Sequence, residues 1–219
     1  MTAGKPWPYC KVKIVDPTTL KEVPDGTEGE IWSTDNSNPP CHVMKGYYKK
    51  EEETREAFEG GWFHTGDIGH FDEEGFLVIT DRKKDILITA GGKNVAPQPI
   101  ENVLKANPYI QTAVVVGGGR KFISALIVPD FDKLEAYARA QGIPLGSRRE
   151  LVEKEEIVAF MLAEVNRSTP HLASYERIKK VILLERDFNT DTELTPSLKV
   201  KRHIVEKAFK DKIDRLYKE

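Results

Sequence analysis

Asp81-Arg82-Lys83-Lys84-Asp85 divides this sequence into two parts of different character. The run is charged throughout and has no apolar period, so it reads as a connection between bodies and not as part of a core. Upstream the signals are those of strands and turns. Lys11-Val12-Lys13-Ile14-Val15 alternates and stops at Pro17, Pro24-Asp25-Gly26 is turn chemistry, and Gly29-Glu30-Ile31-Trp32 reads as a second short strand. Residues 36–40 read as a loop, and residues 50–58 as a helix rich in Glu, Arg and Ala that Gly60-Gly61 ends. Asp72-Glu73-Glu74-Gly75 predicts a hairpin turn between strands at 68–71 and 76–80.

Downstream, strands and helices mix. A β-type run at 86–89 leads into Gly91-Gly92, and a helix begins near Pro99 with Ile100, Val103 and Leu104 on one face. Continuous apolar runs at 113–116 and 123–128 have strand length, and Gly117-Gly118-Gly119 joins them as a hairpin turn. Helices follow at 130–141, closed by Gly142, and at 150–166. A strand at 178–184 and a helix at 201–216, with Ile204, Val205, Ala208, Phe209, Ile213 and Leu216 as its stripe, complete the chain. The expected fold is α+β: a β-rich segment over residues 1–81, a hinge at 82–85, and over residues 86–219 a small mixed domain with a three-stranded sheet and flanking helices.

Composition narrows the function classes. A 31% charged and 39% hydrophobic chain of 219 residues is an ordinary globular protein with room for a real core. The formal net charge of −2 argues against a nucleic-acid partner. Cys10 and Cys41 make no disulfide framework, and the five scattered histidines make no zinc signature, so no metal ligand set is expected. No apolar run approaches the roughly 20 residues of a spanning helix. A reducing, cytoplasmic setting fits these features and leaves peripheral contact with the inner membrane surface open.

The candidate chemistry lies in ordered segments. First come Gly46-Tyr47-Tyr48-Lys49 and then Gly61-Trp62-Phe63-His64-Thr65-Gly66-Asp67. Asp81-Arg82-Lys83-Lys84-Asp85 follows, then Gly91-Gly92-Lys93-Asn94 with Pro99-Ile100-Glu101. The last is Leu194-Thr195-Pro196-Ser197-Leu198-Lys199-Val200-Lys201-Arg202. Taken in this order, the segments resemble the adenylate-forming superfamily of acyl-CoA synthetases, firefly luciferase and peptide-synthetase adenylation domains. The charged run and the final segment look most like the long-chain fatty acyl-CoA branch.

Each candidate residue has a plain reading beside the functional one. A carboxylate after a Thr-Gly turn can accept hydrogen bonds from two vicinal hydroxyls; the resemblance implies that Asp67 binds the ribose of the adenylate. Alone, Thr-Gly-Asp more often caps its own backbone. Arg82 offers a rigid fork of donors, and the family pattern makes it a second nucleotide contact, whereas in isolation it is one solvated charge among several. Lys84 falls where the family has its hinge residue, on motif placement alone. Gly91 and Gly92 permit close backbone approach; the resemblance implies that they line the tunnel for coenzyme A, and an ordinary strand-to-helix turn would use them equally. Lys199 is the implied catalytic residue, bridging the substrate carboxylate and the α-phosphate. The family usually shows Gly before this lysine, where this chain has Leu198. Without the resemblance, Lys199, Lys201, Arg202 and His203 read as a solvated basic helix start. Trp62, Phe63 and the Tyr47-Tyr48 pair are expected to be packing residues, and His64 a structural histidine.

The resemblance further implies ATP, Mg2+ and coenzyme A as reactants and a fatty acid as acyl substrate. The family also needs a phosphate-binding loop rich in Gly, Ser and Thr and a Tyr-Gly-x-Thr-Glu segment, neither of which occurs in these residues. The expectation is therefore a C-terminal fragment: the β-rich end of a large domain, whose missing N-terminal part would be its partner, followed by the whole mobile small domain, and inactive alone. The rival expectation is a non-catalytic module that docks a protein or an anionic surface through its basic C-terminal helix.

Overall fold

A computed structural model describes residues 2–35, 43–197 and 199–218, in two compact units, Met1–Asp85 and Ile86–Glu219. The loop expected at 36–40 and the residue Leu198 lie outside the described residues.

In the first unit, strands β1 (Cys10–Val15), β2 (Gly29–Asp35), β3 (Phe63–Phe71) and β4 (Leu77–Arg82) form an antiparallel sheet in that order. Ile14, Val15, Ile31, Trp32 and Ile68 are its buried apolar residues. The turn between β3 and β4 forms where the sequence places it. Asp72 Oδ1 accepts the N–H groups of Glu74 at 3.1 Å and Phe76 at 2.8 Å, an Asp closing its own turn. Helix α1 (Glu51–Ala57) buries none of its residues and ends at Phe58, after which a 3₁₀ turn follows in which Gly60 takes φ +68°.

The second unit is built on a three-stranded mixed sheet. β7 (Ile110–Val116) runs antiparallel to β8 (Ser124–Pro129), and β8 runs parallel to β9 (Lys180–Leu183). Side chains alternate between faces along a strand. Ala113, Val115, Ala125 and Ile127 meet α2 (Pro97–Lys105), α3 (Phe131–Ala140), α4 (Arg148–Glu153) and α5 (Glu155–Ser168), through Ile100, Leu104, Leu134, Leu151, Ile157 and Met161. On the opposite face, Val114, Val116, Leu126 and Val128 meet Val205 of α6 (Arg202–Ala208) and Ile213 of α7 (Lys210–Leu216). Because both faces are covered, these strands are continuously apolar. Each such aliphatic side chain contributes about 1.5–3 kcal/mol by leaving water.

The turn joining β7 to β8 needs its first glycine. Gly117 has φ +135°, and a Cβ there would lie 2.8 Å from Phe122 O and 2.9 Å from Ile123 Cα.

Three helix boundaries differ from the expected ones. Helix α2 starts at Pro97, two residues ahead of Pro99, because a proline fits the first helical turn, where no intrahelical donor is needed. The helix expected at 150–166 is two. Ser147 and Glu150 form a reciprocal capping box that starts α4, and Lys154, at φ −70° and ψ 130°, breaks the chain before α5. The helix expected at 201–216 is also two, divided at Phe209, whose φ of −105° is outside the helical range.

Candidate functional site

In the first unit, β3 and β4 position the acidic candidate. Thr65 Oγ1 donates to Ile31 O at 2.7 Å and accepts the Asp67 N–H at 3.1 Å, and Gly66 between them takes φ +69°. This local crossover presents Asp67 opposite Arg82 in the β3–β4 register. Arg82 Nε lies 2.7 Å from Asp67 Oδ1; the Asp67 side chain is 25% exposed and that of Arg82 56%. The two candidate nucleotide contacts are thus neighbours across the β3–β4 ladder, with Asp67 inside β3 and Arg82 the last residue of the edge strand β4, a carboxylate acceptor beside a planar fork of donors. Such a pair can offer acceptors to vicinal hydroxyls and donors to ribose or phosphate oxygens at one place. Beside it, Asp81 is buried and accepts the Arg82 N–H at 2.7 Å, fixing the backbone that carries the guanidinium.

Lys84 lies in a one-turn 3₁₀ helix, Lys83–Asp85, at the end of this unit. The residue before it is firmly held. Lys83 Nζ is 2.9 Å from Glu30 Oε2, an oxygen that also accepts the indole N–H of Trp32 at 2.9 Å, and Glu30 is only 2% exposed. A charge this deeply buried needs such partners. Trp32 stacks on His64 with ring centroids 3.8 Å apart, and His64 Nε2 contacts Glu59 O at 3.1 Å, a structural histidine. The Trp62 ring carries the Lys13 ammonium at 4.2 Å. Tyr47 and Tyr48 are not the packing residues expected, being 46% and 85% exposed. They precede a helix none of whose residues is buried.

In the second unit, Gly91 and Gly92 sit at the tip of a hairpin formed by β5 (Leu87–Ile88) and β6 (Asn94–Val95), not in a strand-to-helix turn. Thr89 closes it, its N–H donating to Lys93 O at 2.9 Å and its Oγ1 accepting the Lys93 N–H at 3.1 Å. Gly92 is required by its φ of +71°, whereas Gly91 is not left-handed. No atom lies within 4 Å of a Cβ built at Gly92, so the tip is open to a ligand on that side. The hairpin is docked on the β7–β8 turn through Ala90 N–H to Arg120 O (2.8 Å) and Gly119 N–H to Ile88 O (2.7 Å).

Lys199 is exposed on a second turn, closed by a bridge between Leu194 and Val200. Thr195 N–H donates to Lys199 O at 2.7 Å, and Lys199 N–H donates to Thr195 Oγ1 at 3.0 Å. Thr195 and Lys199 are therefore paired with each other, which fixes the backbone that carries the ammonium. A flexible cation on a defined backbone can serve as a mobile counter-charge for a phosphate.

Sequence reading assigned no role to Glu30, Arg186 or Glu193. Glu30 carried a faint signal, an acid inside a strand otherwise facing the core. Arg186 and Glu193 carried none, since they flank a segment without periodicity. Among the described residues no three His, Cys, Asp or Glu side chains cluster as a metal would need, and no helix is long and apolar enough to cross a membrane.

Residues 84–219 match the AMP-binding enzyme C-terminal domain, and residues 1–48 match the AMP-binding enzyme domain. The chain is 40% identical over 218 residues to the long-chain-fatty-acid–CoA ligase FadD15 of Mycobacterium tuberculosis, covering 99% of this chain and 34% of that protein. It is 36% identical to the long-chain-fatty-acid–CoA ligase ACSBG2 of Xenopus laevis, covering 100% of this chain and 31% of that one. The crystal structure of ATP-bound MatB from Rhodopseudomonas palustris is 28% identical with a TM-score of 0.66, covering 96% of this chain and 36% of MatB. The chain thus spans about a third of the length of the curated relatives it matches.

Proposed function

The chain belongs to the AMP-binding enzyme family, and from that membership we propose that it forms the C-terminal part of the working machinery of an ATP-dependent long-chain fatty acid–CoA ligase. The observation that carries this reading is the Asp67–Arg82 pair, register partners 2.7 Å apart across the β3–β4 ladder. The names of the relatives supply the acyl class, and those of the solved structures supply the nucleotide.

The reaction has two halves. A fatty carboxylate oxygen attacks the α-phosphorus of Mg-ATP; the bond to the β-phosphate oxygen breaks, and pyrophosphate leaves. Asp67 accepts the ribose hydroxyls, Arg82 donates to ribose or phosphate oxygens, and the Lys199 ammonium offsets charge between the carboxylate and the α-phosphate. In the second half the sulfur of coenzyme A attacks the acyl carbonyl of the adenylate. AMP leaves, and the thiol proton passes to solvent. For this half the second unit turns about Lys84, withdrawing Lys199 and bringing the Gly91-Gly92 hairpin to the pantetheine arm. A short 3₁₀ turn at Lys83–Asp85 is the kind of element that absorbs such a change.

A phosphate-binding loop does not occur in residues 1–219. The chain alone is therefore expected to give no acyl-CoA from fatty acid, ATP and coenzyme A. The test joins the full chain behind the preceding two-thirds of the Mycobacterium relative. The joined protein should form long-chain acyl-CoA, and Lys199→Ala should abolish adenylate formation measured by pyrophosphate exchange. A folded joined protein without ligase activity, or unaltered exchange with Lys199→Ala, overturns the reading, as does robust turnover by the 219 residues alone.

A further inference from the structure

The turn bearing Lys199 is tied at both roots to buried glutamates that the two half-reactions do not use. On the incoming side stands Glu193, 3% exposed. Its carboxylate accepts both terminal nitrogens of Arg186, each at 2.8 Å, and the Asn189 N–H at 2.6 Å. The Glu193 carbonyl accepts the N–H of Lys201 at 2.8 Å, across the turn. One residue thus holds the incoming strand through its side chain and the outgoing strand through its backbone. On the outgoing side, Arg202 donates to Glu101 Oε1 at 2.8 Å and to the carbonyl of Val115, while Glu101 Oε1 also accepts the Val115 N–H at 2.7 Å. Both side chains of this second pair are nearly buried, at 12% and 9% exposure.

Two arginine–carboxylate anchors are more than a surface turn needs. A buried ion pair is a weak device for raising stability, because desolvation offsets most of its attraction. A fork-to-carboxylate pair does resist rotation. The Lys199 side chain is exposed, so its reach is set by the backbone beneath. A displacement of about 1 Å at a reacting centre can cost a hundredfold in rate.

We infer that Glu193 and Glu101, acting through Arg186 and Arg202, are positioning residues for Lys199. The inference rests on the reading of Lys199 given above. Its consequence is selective: the anchors matter when Lys199 is at the α-phosphate and not when it is withdrawn.

The experiment uses the full chain joined behind the relative's preceding two-thirds and measures the half-reactions separately. Glu193→Gln and Glu101→Gln should each lower kcat for adenylation by roughly tenfold to a hundredfold, leaving KM for ATP unchanged. Thioester formation from synthetic acyl-adenylate should be unaffected. Arg186→Met should match Glu193→Gln, and the double variant should be no slower than either, as for two halves of one device. In the 219-residue chain, Glu193→Gln should speed amide exchange at Lys201 and Thr195 while β7 and β8 stay protected. Equal losses in both half-reactions, or unchanged adenylation with a protected turn, overturn the inference. Lys199→Ala separates the two failures. If it abolishes adenylation while the glutamate variants are neutral, only the positioning role falls; if adenylation survives it, the reading of Lys199 itself falls.

Discussion

Arg82 Nε lies 2.7 Å from Asp67 Oδ1 across the β3–β4 register, so the candidate sugar-binding carboxylate is already partnered by the second candidate contact. Exposed ion pairs contribute at most about 1 kcal/mol, and the side chains of this one are 25% and 56% exposed. Asp67→Ala should therefore lower the stability of the first unit by less than about 1 kcal/mol, while weakening AMP binding by the joined ligase more than roughly tenfold. Urea unfolding followed by tryptophan fluorescence reads the first unit alone, because Trp7, Trp32 and Trp62 all lie before residue 86; calorimetry reads the affinity. A fall of several kcal/mol in stability with affinity unchanged would make Asp67 structural.

Leu104 is fully buried where α2 faces the sheet. Truncating such a leucine costs about 2–5 kcal/mol, through lost transfer energy and the cavity left behind. Leu104→Ala should destabilise the second unit by that amount and leave the tryptophan transition of the first unit in place. Far-UV circular dichroism and fluorescence, recorded on one titration, check both halves.

Gly117→Ala and Gly119→Ala provide a controlled pair in one turn. Both residues have positive φ, but only at Gly117 would a Cβ meet backbone below 3 Å; at Gly119 nothing lies within 4 Å. Gly119→Ala should cost about 1 kcal/mol from its dihedral alone, and Gly117→Ala at least about 1–3 kcal/mol more. Thermal denaturation of the two variants decides the order.

The two glutamates that anchor the Lys199 turn should respond to pH with opposite signs. Hydrogen bonds from Arg186, foremost, hold the Glu193 carboxyl below its ordinary range. Its stabilisation is therefore complete above the ordinary glutamate pKa and is lost as pH falls through the lowered value. For Glu101, burial outweighs the pull of Arg202 and raises the carboxyl. Its proton is taken up more readily in the folded chain, so its contribution is complete below the ordinary pKa and declines as pH rises through the raised value. Glu193→Gln should flatten the acid limb of the second unit's stability curve, and Glu101→Gln should flatten the limb above the ordinary glutamate pKa. The same slope in both variants would contradict this assignment.

The readability of the sequence varied with the distance over which a contact is made. The β7 and β8 runs were legible because helices cover both faces of their sheet, leaving no polar interruption. The Asp72 turn was legible because its hydrogen bonds close within four residues. The breaks at Lys154 and Phe209 were not, since a single residue leaving helical dihedrals disturbs the apolar period little. Arg82 was named, but its pairing with Asp67 was not, because β4 extends two residues past the expected strand end. Lys83–Glu30 and Arg202–Glu101 join residues 53 and 101 positions apart, and no local pattern encodes such partners. Tyr47 and Tyr48 are the opposite case, aromatic side chains whose character favours burial but which stand in solvent.

The buried Glu30 that holds Lys83 has a consequence for motion. With Lys83 fastened and Arg82 bonded to Asp67, the chain is secured in the first unit up to the residue before Lys84. The backbone at Arg82 and Lys83 therefore keeps few free torsions of its own. Loosening Glu30 would return those torsions to Lys83 while leaving the Asp67–Arg82 pair in place.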